Sequence, residues 1–269
     1  MSEVQTTNNK PLIIALIVVL VLVLCCCLVV AGLGLAGVLT LPWSGIAAAR
    51  VGAGETLDKT FDVSTPLNLV VDVNVGDIII ETGPGNEVHI SAQKRVWGTD
   101  RRQAEAYLGD FEVRISQPDT DVVEIKTETP PRLRHVSRAP SVDLEITVPR
   151  DTNLDLAVNV GSVEISDVRG GFGIESNVGD VTLRGVRLEE DSQISSDVGD
   201  LELRLPADSA FSFRAESNVG DIRIDFPVRN EESEKRVVGG RIEGEIGDSP
   251  VAHVRLRTNT GSIQIRRGD

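Results

Sequence analysis

Asp180, Asp200 and Asp221 each follow a glycine, and Asn177, Asp197 and Asn218 stand three residues ahead of them, in the phrases SNVGDVTLRG, SDVGDLELRL and SNVGDIRIDF. Carboxylate and amide oxygens repeated at one spacing are hard ligands; stacked about 4.8 Å apart, they would suit calcium. The same side chains also serve turns, where Asn and Asp accept backbone N–H bonds and tolerate unusual dihedral angles. Magnitudes favour the turn. Repulsion between neighbouring exposed carboxylates is about 1 kcal/mol in high dielectric, and a hydrogen bond to a charged group contributes roughly 1.5–3 kcal/mol. The glycine-rich calcium nonapeptide of some β-rolls is not present, and no metal or other cofactor is expected.

Other chemistry finds less support. His89, His135 and His253 are the three histidines and fall in unrelated stretches, so no acid–base or metal centre is expected from them. Ser176, Ser196, Ser217 and Thr258 recur at one position, but no histidine accompanies them as a base. Glu189–Glu190 and Glu231–Glu232 are adjacent acids, whereas a sugar hydrolase needs two carboxyls facing each other across a cleft. Trp97 and Tyr107 are the only Trp or Tyr residues after residue 50, too few for a run of sugar-stacking platforms. Arg132, Arg134 and Arg138, with His135 among them, have no acid between Pro130 and Pro140 and are the candidate contact for an anionic surface. The chain is not expected to be an enzyme.

The elements that hold the repeated phrase follow from its period. Aligned on the glycine, the copies fall at Gly76, Gly161, Gly179, Gly199, Gly220 and Gly261, with gaps of 85, 18, 20, 21 and 41. The unit is about 20 residues long, with two longer gaps that accommodate extra units or insertions. Around Gly179, apolar or small residues occupy −7, −5, −3 and −1 (Phe172, Ile174, Ser176, Val178) and then +2 and +4 (Val181, Leu183). This is strand alternation on both sides of a break. A corner at Gly-Asp is expected to turn both sets, including Val178, toward one interior, because glycine admits backbone angles closed to other residues. A unit of two short strands cannot bury its own apolar face, but stacked copies can. The predicted fold class is therefore all-β: a parallel β-solenoid of about 20 residues per coil, preceded by one N-terminal transmembrane helix.

The N-terminal expectation rests on residues 12–41. From Leu12 to Leu41 there is no charged residue, and this run exceeds the roughly 20 apolar residues that cross a bilayer as a helix. Residues 1–11 form a short polar tail, 12–41 a membrane helix, 42–60 a linker and 61–269 the β domain. A cleaved signal peptide is the alternative, with Ala47–Ala49 as its cleavage site, although the run is longer than a signal core. Cys25, Cys26 and Cys27 all lie in the run, so the β domain has no cysteine for a disulfide or a zinc site. Positive charges nearly balance across the run, and the preferred orientation places the C-terminal domain outside the cell. Residues 1–49 carry one acid and one base, so the formal charge of −14 belongs to the β domain. Nucleic acid would be repelled and is not an expected partner.

Three interruptions are predicted. Residues 98–110 read as a short helix capped by Thr99 or Asp100, between strands VHISAQKRV and FEVRIS. Residues 129–140 and 228–248 read as loops.

The membrane run, the lead-in VDLEITVP and the serial NVGSVEIS, NVGDVTLRG, DVGDLELRL and NVGDIRIDF together resemble the bacterial "putative adhesin" family of β-strand-repeat proteins, a domain of unknown function. The resemblance covers roughly residues 60–267 and brings no catalytic residues with it. It implies a β-solenoid in the cell envelope, with an adhesin-like interaction surface for an envelope polymer or protein. A sensor or regulatory role in an envelope-stress response is the alternative it implies; a carbohydrate-active enzyme fits less well.

Overall fold

The computed structural model describes residues 51–133, 138–235 and 237–268. The predicted membrane helix at 12–41 therefore lies outside the described residues, and among those described no helix is long and apolar enough to cross a membrane.

Strands dominate. The first stretch runs through β1 (Val51–Asp62), β2 (Leu67–Val75), β3 (Ile78–Thr82) and β4 (Glu87–Gly98) into α1 (Arg101–Asp110). Asp100 caps the helix by accepting the Gln103 N–H. Then come β5 (Glu112–Asp119), β6 (Val122–Glu128), a short 3-10 turn at Pro131–Leu133, and β7 (Ser141–Val148). The repeats follow as β8 (Thr152–Val160), β9 (Val163–Ser166), β10 (Arg169–Gly170), β11 (Phe172–Val178), β12 (Val181–Arg184), β13 (Arg187–Leu188), β14 (Ser192–Val198) and β15 (Leu201–Leu205). The chain closes with β16 (Phe211–Val219), β17 (Ile222–Ile224), β18 (Val228–Lys235), β19 (Gly240–Ile246), β20 (His253–Thr260) and β21 (Ile263–Arg267).

These strands form two large sheets that share one core. The first has the order β1-β4-β7-β3-β9-β12-β15-β21-β17, and the second β18-β19-β16-β20-β14-β11-β8-β2-β6-β5. Each repeat contributes its pre-glycine strand to the second sheet and its post-glycine strand to the first. Like side chains stack between coils: Leu69, Leu154, Phe172 and Val71, Leu156, Ile174, Ile194 pair in register in one sheet. Ile78, Val163, Val181, Leu201 and Ile263 do so in the other. All of these are buried. Each such side chain contributes roughly 1.5–3 kcal/mol of transfer free energy when fully buried.

The parallel stack is confined to the middle, which corrects the expectation of parallel coils throughout. β1 with β4, β4 with β7, β5 with β6, β16 with β19 and β18 with β19 are antiparallel. Of these, β5 with β6 and β18 with β19 are consecutive hairpins, while β1 with β4, β4 with β7 and β16 with β19 pair across intervening strands. Residues 51–60 are not a linker but most of β1, a strand on the edge of the first sheet whose ladder is supplied by β4. Likewise, residues 228–248 are chiefly the antiparallel strands β18 and β19, which extend the second sheet, rather than a loop.

Coil order is also not chain order. The strands around Gly261 lie between those of Gly199 and Gly220, because β20 pairs with β14 on one side and β16 on the other. β21 likewise sits between β15 and β17.

A third correction concerns the residue before each glycine. Val160, Val178, Val198 and Val219 are 41–49% exposed, not interior. The inward alternation ends at −3 and resumes at +2, so Asn, Val, Gly and Asp together form the outside of the corner. In consequence, we expect Val178→Ala to change unfolding free energy by no more than about 0.5 kcal/mol. Leu183→Ala should cost about 2–5 kcal/mol. Chemical denaturation of the two variants measures both, and equal losses would return Val178 to the interior.

Candidate functional site: the repeated corner

Four columns of hydrogen bonds meet at the corner. The first belongs to the glycines, whose φ values run from +147° to +158°. A Cβ on Gly161, Gly179, Gly199, Gly261 or Gly220 would lie 2.0 Å from the carbonyl oxygen of the adjacent coil's glycine, and one on Gly76 would lie 1.7 Å from the Val142 oxygen. Glycine is thus required twice, by dihedral angle and by approach. The amides of Gly161, Gly179 and Gly199 donate to Val178, Val198 and Thr260 of the next coil, each at 2.9 Å.

The aspartates form the second column, and they act between coils rather than within one turn. Asp77 accepts the Ser162 N–H at 2.8 Å, Asp180 the Asp200 N–H at 2.8 Å, and Asp200 the Ser262 N–H at 2.6 Å. Asp143 on β7 continues the column past Asp77, whose N–H it accepts at 3.3 Å. Asp221 belongs to the outermost repeat coil, where β17 ends the first sheet, and its carboxylate instead pairs with Arg223 at 3.1 Å. Backbone amides thus reach one oxygen of each of Asp77, Asp143, Asp180 and Asp200. Among the described residues, no group of three or more His, Cys, Asp or Glu is placed to hold a metal ion.

An amide ladder makes the third column. Asn159 donates to Asn74 at 2.9 Å and Asn177 to Asn159 at 2.8 Å; beyond Asp197, Asn259 donates to Asp197 at 2.7 Å and Asn218 to Asn259 at 3.0 Å. Every rung donates toward the Asn74 end. Asp197 stands where the next donor to the Asn177 oxygen would be, and an ionised carboxylate only accepts. The ladder is therefore broken at one rung by one atom type.

The fourth column is the interior hydroxyls. Ser196 donates to the Gly179 oxygen at 3.2 Å, Thr258 to Gly199 at 3.0 Å and Ser217 to Gly261 at 2.9 Å. Buried Ser176 breaks the pattern: its hydroxyl has no partner among the described residues. Its in-register neighbour toward Asn74 is Val158.

The remaining sequence candidates do not converge. His89 Nδ1 lies 3.0 Å from the Thr60 hydroxyl on the first sheet, and His253 Nδ1 lies 3.0 Å from that of Ser212 on the second. His135 and Arg134 lie outside the described residues. Arg132 pairs with Asp110, and Arg138 stacks over Trp97 with its guanidinium carbon 3.8 Å from the ring centroid. Both described arginines of that loop are thus engaged within the molecule. Glu189 pairs with Arg169 at 3.2 Å, while Glu231 and Glu232 lie along β18. Elsewhere, a hydrogen bond from Arg101 to Glu105, reinforced by that carboxylate's charge, raises the Arg101 pKa.

Sequence reasoning missed the Asp143 contribution and the exposed valine column. Repeat alignment carries no signal for either, since Asp143 lies in an unaligned strand and valine suits a core as well as a surface.

Two substitutions test the columns. Asp197→Asn supplies the missing donor and should raise stability by about 0.5–1.5 kcal/mol, the net value of one hydrogen bond; an unchanged or lower melting temperature would show that the rung was not incomplete. Ser176→Val removes an unpaired buried hydroxyl and should be neutral or stabilising, whereas Ser217→Val should cost about 1–3 kcal/mol by orphaning the Gly261 carbonyl. Thermal melts of the pair decide this, and equal losses would refute the difference.

Comparison with known proteins bears on the fold. A family model described as Toastrack DUF4097 matches residues 62–266. No curated protein matches the chain. A crystal structure from Clostridium sporogenes, described as a "putative cell adhesion protein", aligns at TM-score 0.57 and 15% identity over 81% of this chain and 100% of its own. One from Bacteroides fragilis, described as a "putative adhesin", aligns at TM-score 0.40 and 14% identity over 78% of this chain and 97% of its own. One from Parabacteroides distasonis, described as a "putative lipid binding protein", gives TM-score 0.30 and 10% identity over 80% and 97%.

Proposed function

This chain belongs to the Toastrack DUF4097 family, and we propose that it is a non-catalytic, membrane-anchored envelope protein whose β domain displays an adhesin-like interaction surface. The anchor in this reading is the uncharged run Leu12–Leu41, and the domain stands outside the cell membrane. The solenoid-like stack of parallel coils is the display device.

The observation that carries the reading is the state of the corner. Its Asp, Ser and Gly groups are largely occupied by neighbouring coils. What faces outward is a ladder of valines and amides in strict register, Val160, Val178, Val198, Thr260 and Val219 beside the Asn rungs. Such a surface offers area and repetition, not a nucleophile or a proton-transfer pair. A contiguous apolar column left at the surface is a place where another molecule can bury area. The adhesion name carried by the Clostridium sporogenes protein points to the assay.

Full-length protein, purified in detergent, should bind isolated cell-wall or glycan preparations. Val178→Asp with Val198→Asp should weaken that binding about tenfold or more, as expected for burying an unpaired charge in a contact. Failure to bind across a broad panel of preparations would overturn the adhesin-like role. Protease digestion of the β domain in intact cells tests its side of the membrane, and protection there would place it inside.

A further inference from the structure

The insertion of β20 between β14 and β16 creates a surface that chain order does not foretell. Arg255 and Arg257 alternate along β20 and both point outward. Two residues along a strand separate them by about 6.6 Å. In register with Arg255 lie Gln193 on β14 and Arg214 on β16; in register with Arg257 lie Ser195 and Glu216. These six side chains line a shallow depression of about 260 Å³.

Most arginines of this domain lie beside a carboxylate. Arg214 pairs with Glu243 at 3.4 Å, Arg241 with Glu234 at 3.1 Å, and Glu216 is itself engaged. Among the described residues, Arg255 and Arg257 have no hydrogen-bond or ionic partner, although the chain carries a formal charge of −14. Toward β14 their neighbours are neutral, Gln193 and Ser195; beyond them on β11 lie Gly173, in register with Gln193, and the exposed Glu175, in register with Ser195. Two guanidiniums with no ion-pair partner among the described residues, bordered by the Gln193 amide and by the Ser195 hydroxyl, which donates to the Ile174 carbonyl, form a small basic cluster that Glu216 and Glu175 flank at the Arg257 end. Guanidinium forks match oxyanions in plane and charge. An open depression with two cations along one strand suits linked anions better than a single ion, because a second anion on the same chain binds at high effective concentration.

We propose that this face binds a phosphate-bearing polyanion in solution, with one phosphate at Arg255 and Gln193 and the next at Arg257 and Ser195. The assignment rests on the reading of the domain as a non-catalytic binding surface and supplies a ligand class for it.

The test is calorimetric titration of the full-length chain with inorganic phosphate and with short-chain polyphosphate. Polyphosphate should bind more tightly than phosphate, with an affinity that falls as salt rises. Arg255→Gln with Arg257→Gln should weaken polyphosphate binding by about tenfold to a hundredfold, the equivalent of losing a charge-assisted hydrogen bond. Gln193→Glu keeps both arginines and should also weaken binding, by placing a carboxylate beside Arg255. Arg223→Gln, on the other sheet and already paired with Asp221, serves as the control and should change nothing. Melting temperatures taken alongside exclude unfolding as the cause. Absence of polyphosphate binding, affinity indifferent to the double substitution, or binding only to phosphatidylglycerol vesicles would each overturn the proposal. Wall attachment measured on the same samples separates the readings: wild-type chain that takes polyphosphate but ignores every wall preparation refutes the adhesin-like role and leaves this site standing.

Discussion

Close approach of backbone to backbone at the glycine corner is the constraint from which the rest of the structure follows. Each repeat glycine lies so near the carbonyl of the adjacent strand that a Cβ would overlap its oxygen, at 2.0 Å or less. Such contact holds only if coils stack in strict register, with the same residue type at the same height. Register then dictates every column: Val over Leu in the core, hydroxyl over glycine carbonyl inside the corner, carboxylate over N–H and amide over amide outside it.

Because these columns are made between coils, a residue's role depends on which coil lies next to it. Asp180 and Asp200 accept from a neighbour, while Asp221 has no repeat coil beyond it and turns to Arg223. Asp197 accepts from Asn259 and has no proton for Asn177. The two ends of the stack cannot continue the parallel pattern without further repeats, and the chain finishes them with antiparallel strands. Edge strands left bare are templates for unwanted pairing. β4 on β7, and β19 on β16, continue the sheets beyond the first and last coils.

Much of this was legible before any coordinates. The period near 20, the corner glycines and the interior at −7, −5, −3, +2 and +4 follow from alternation and glycine chemistry, and the short helix with a cap at Thr99 or Asp100 from capping chemistry; the structure selects Asp100. Val178 was misread because alternation counted from −7 extends naturally to −1, and valine is welcome in a core. Four corner residues, not two, turn the chain, which throws −1 outward. β1 was read as linker because VGAGETLDKTFD has weak alternation and every residue of that strand is exposed or only partly buried. Its partner β4 supplies the ladder that makes it a strand.

The residues alone established an all-β repeat with its turn chemistry, since strand alternation and the need for glycine are local properties that a period exposes. They also established the acidic balance and the uncharged run at 12–41. Spatial order was beyond them: that Gly261 lies between Gly199 and Gly220 depends on which long-range pairing best continues the core, and a repeat unit fits equally well against either face of any copy. That choice alone places Arg255 and Arg257 beside Gln193 and Ser195, 62 positions away in the chain, and so turns scattered arginines into a surface.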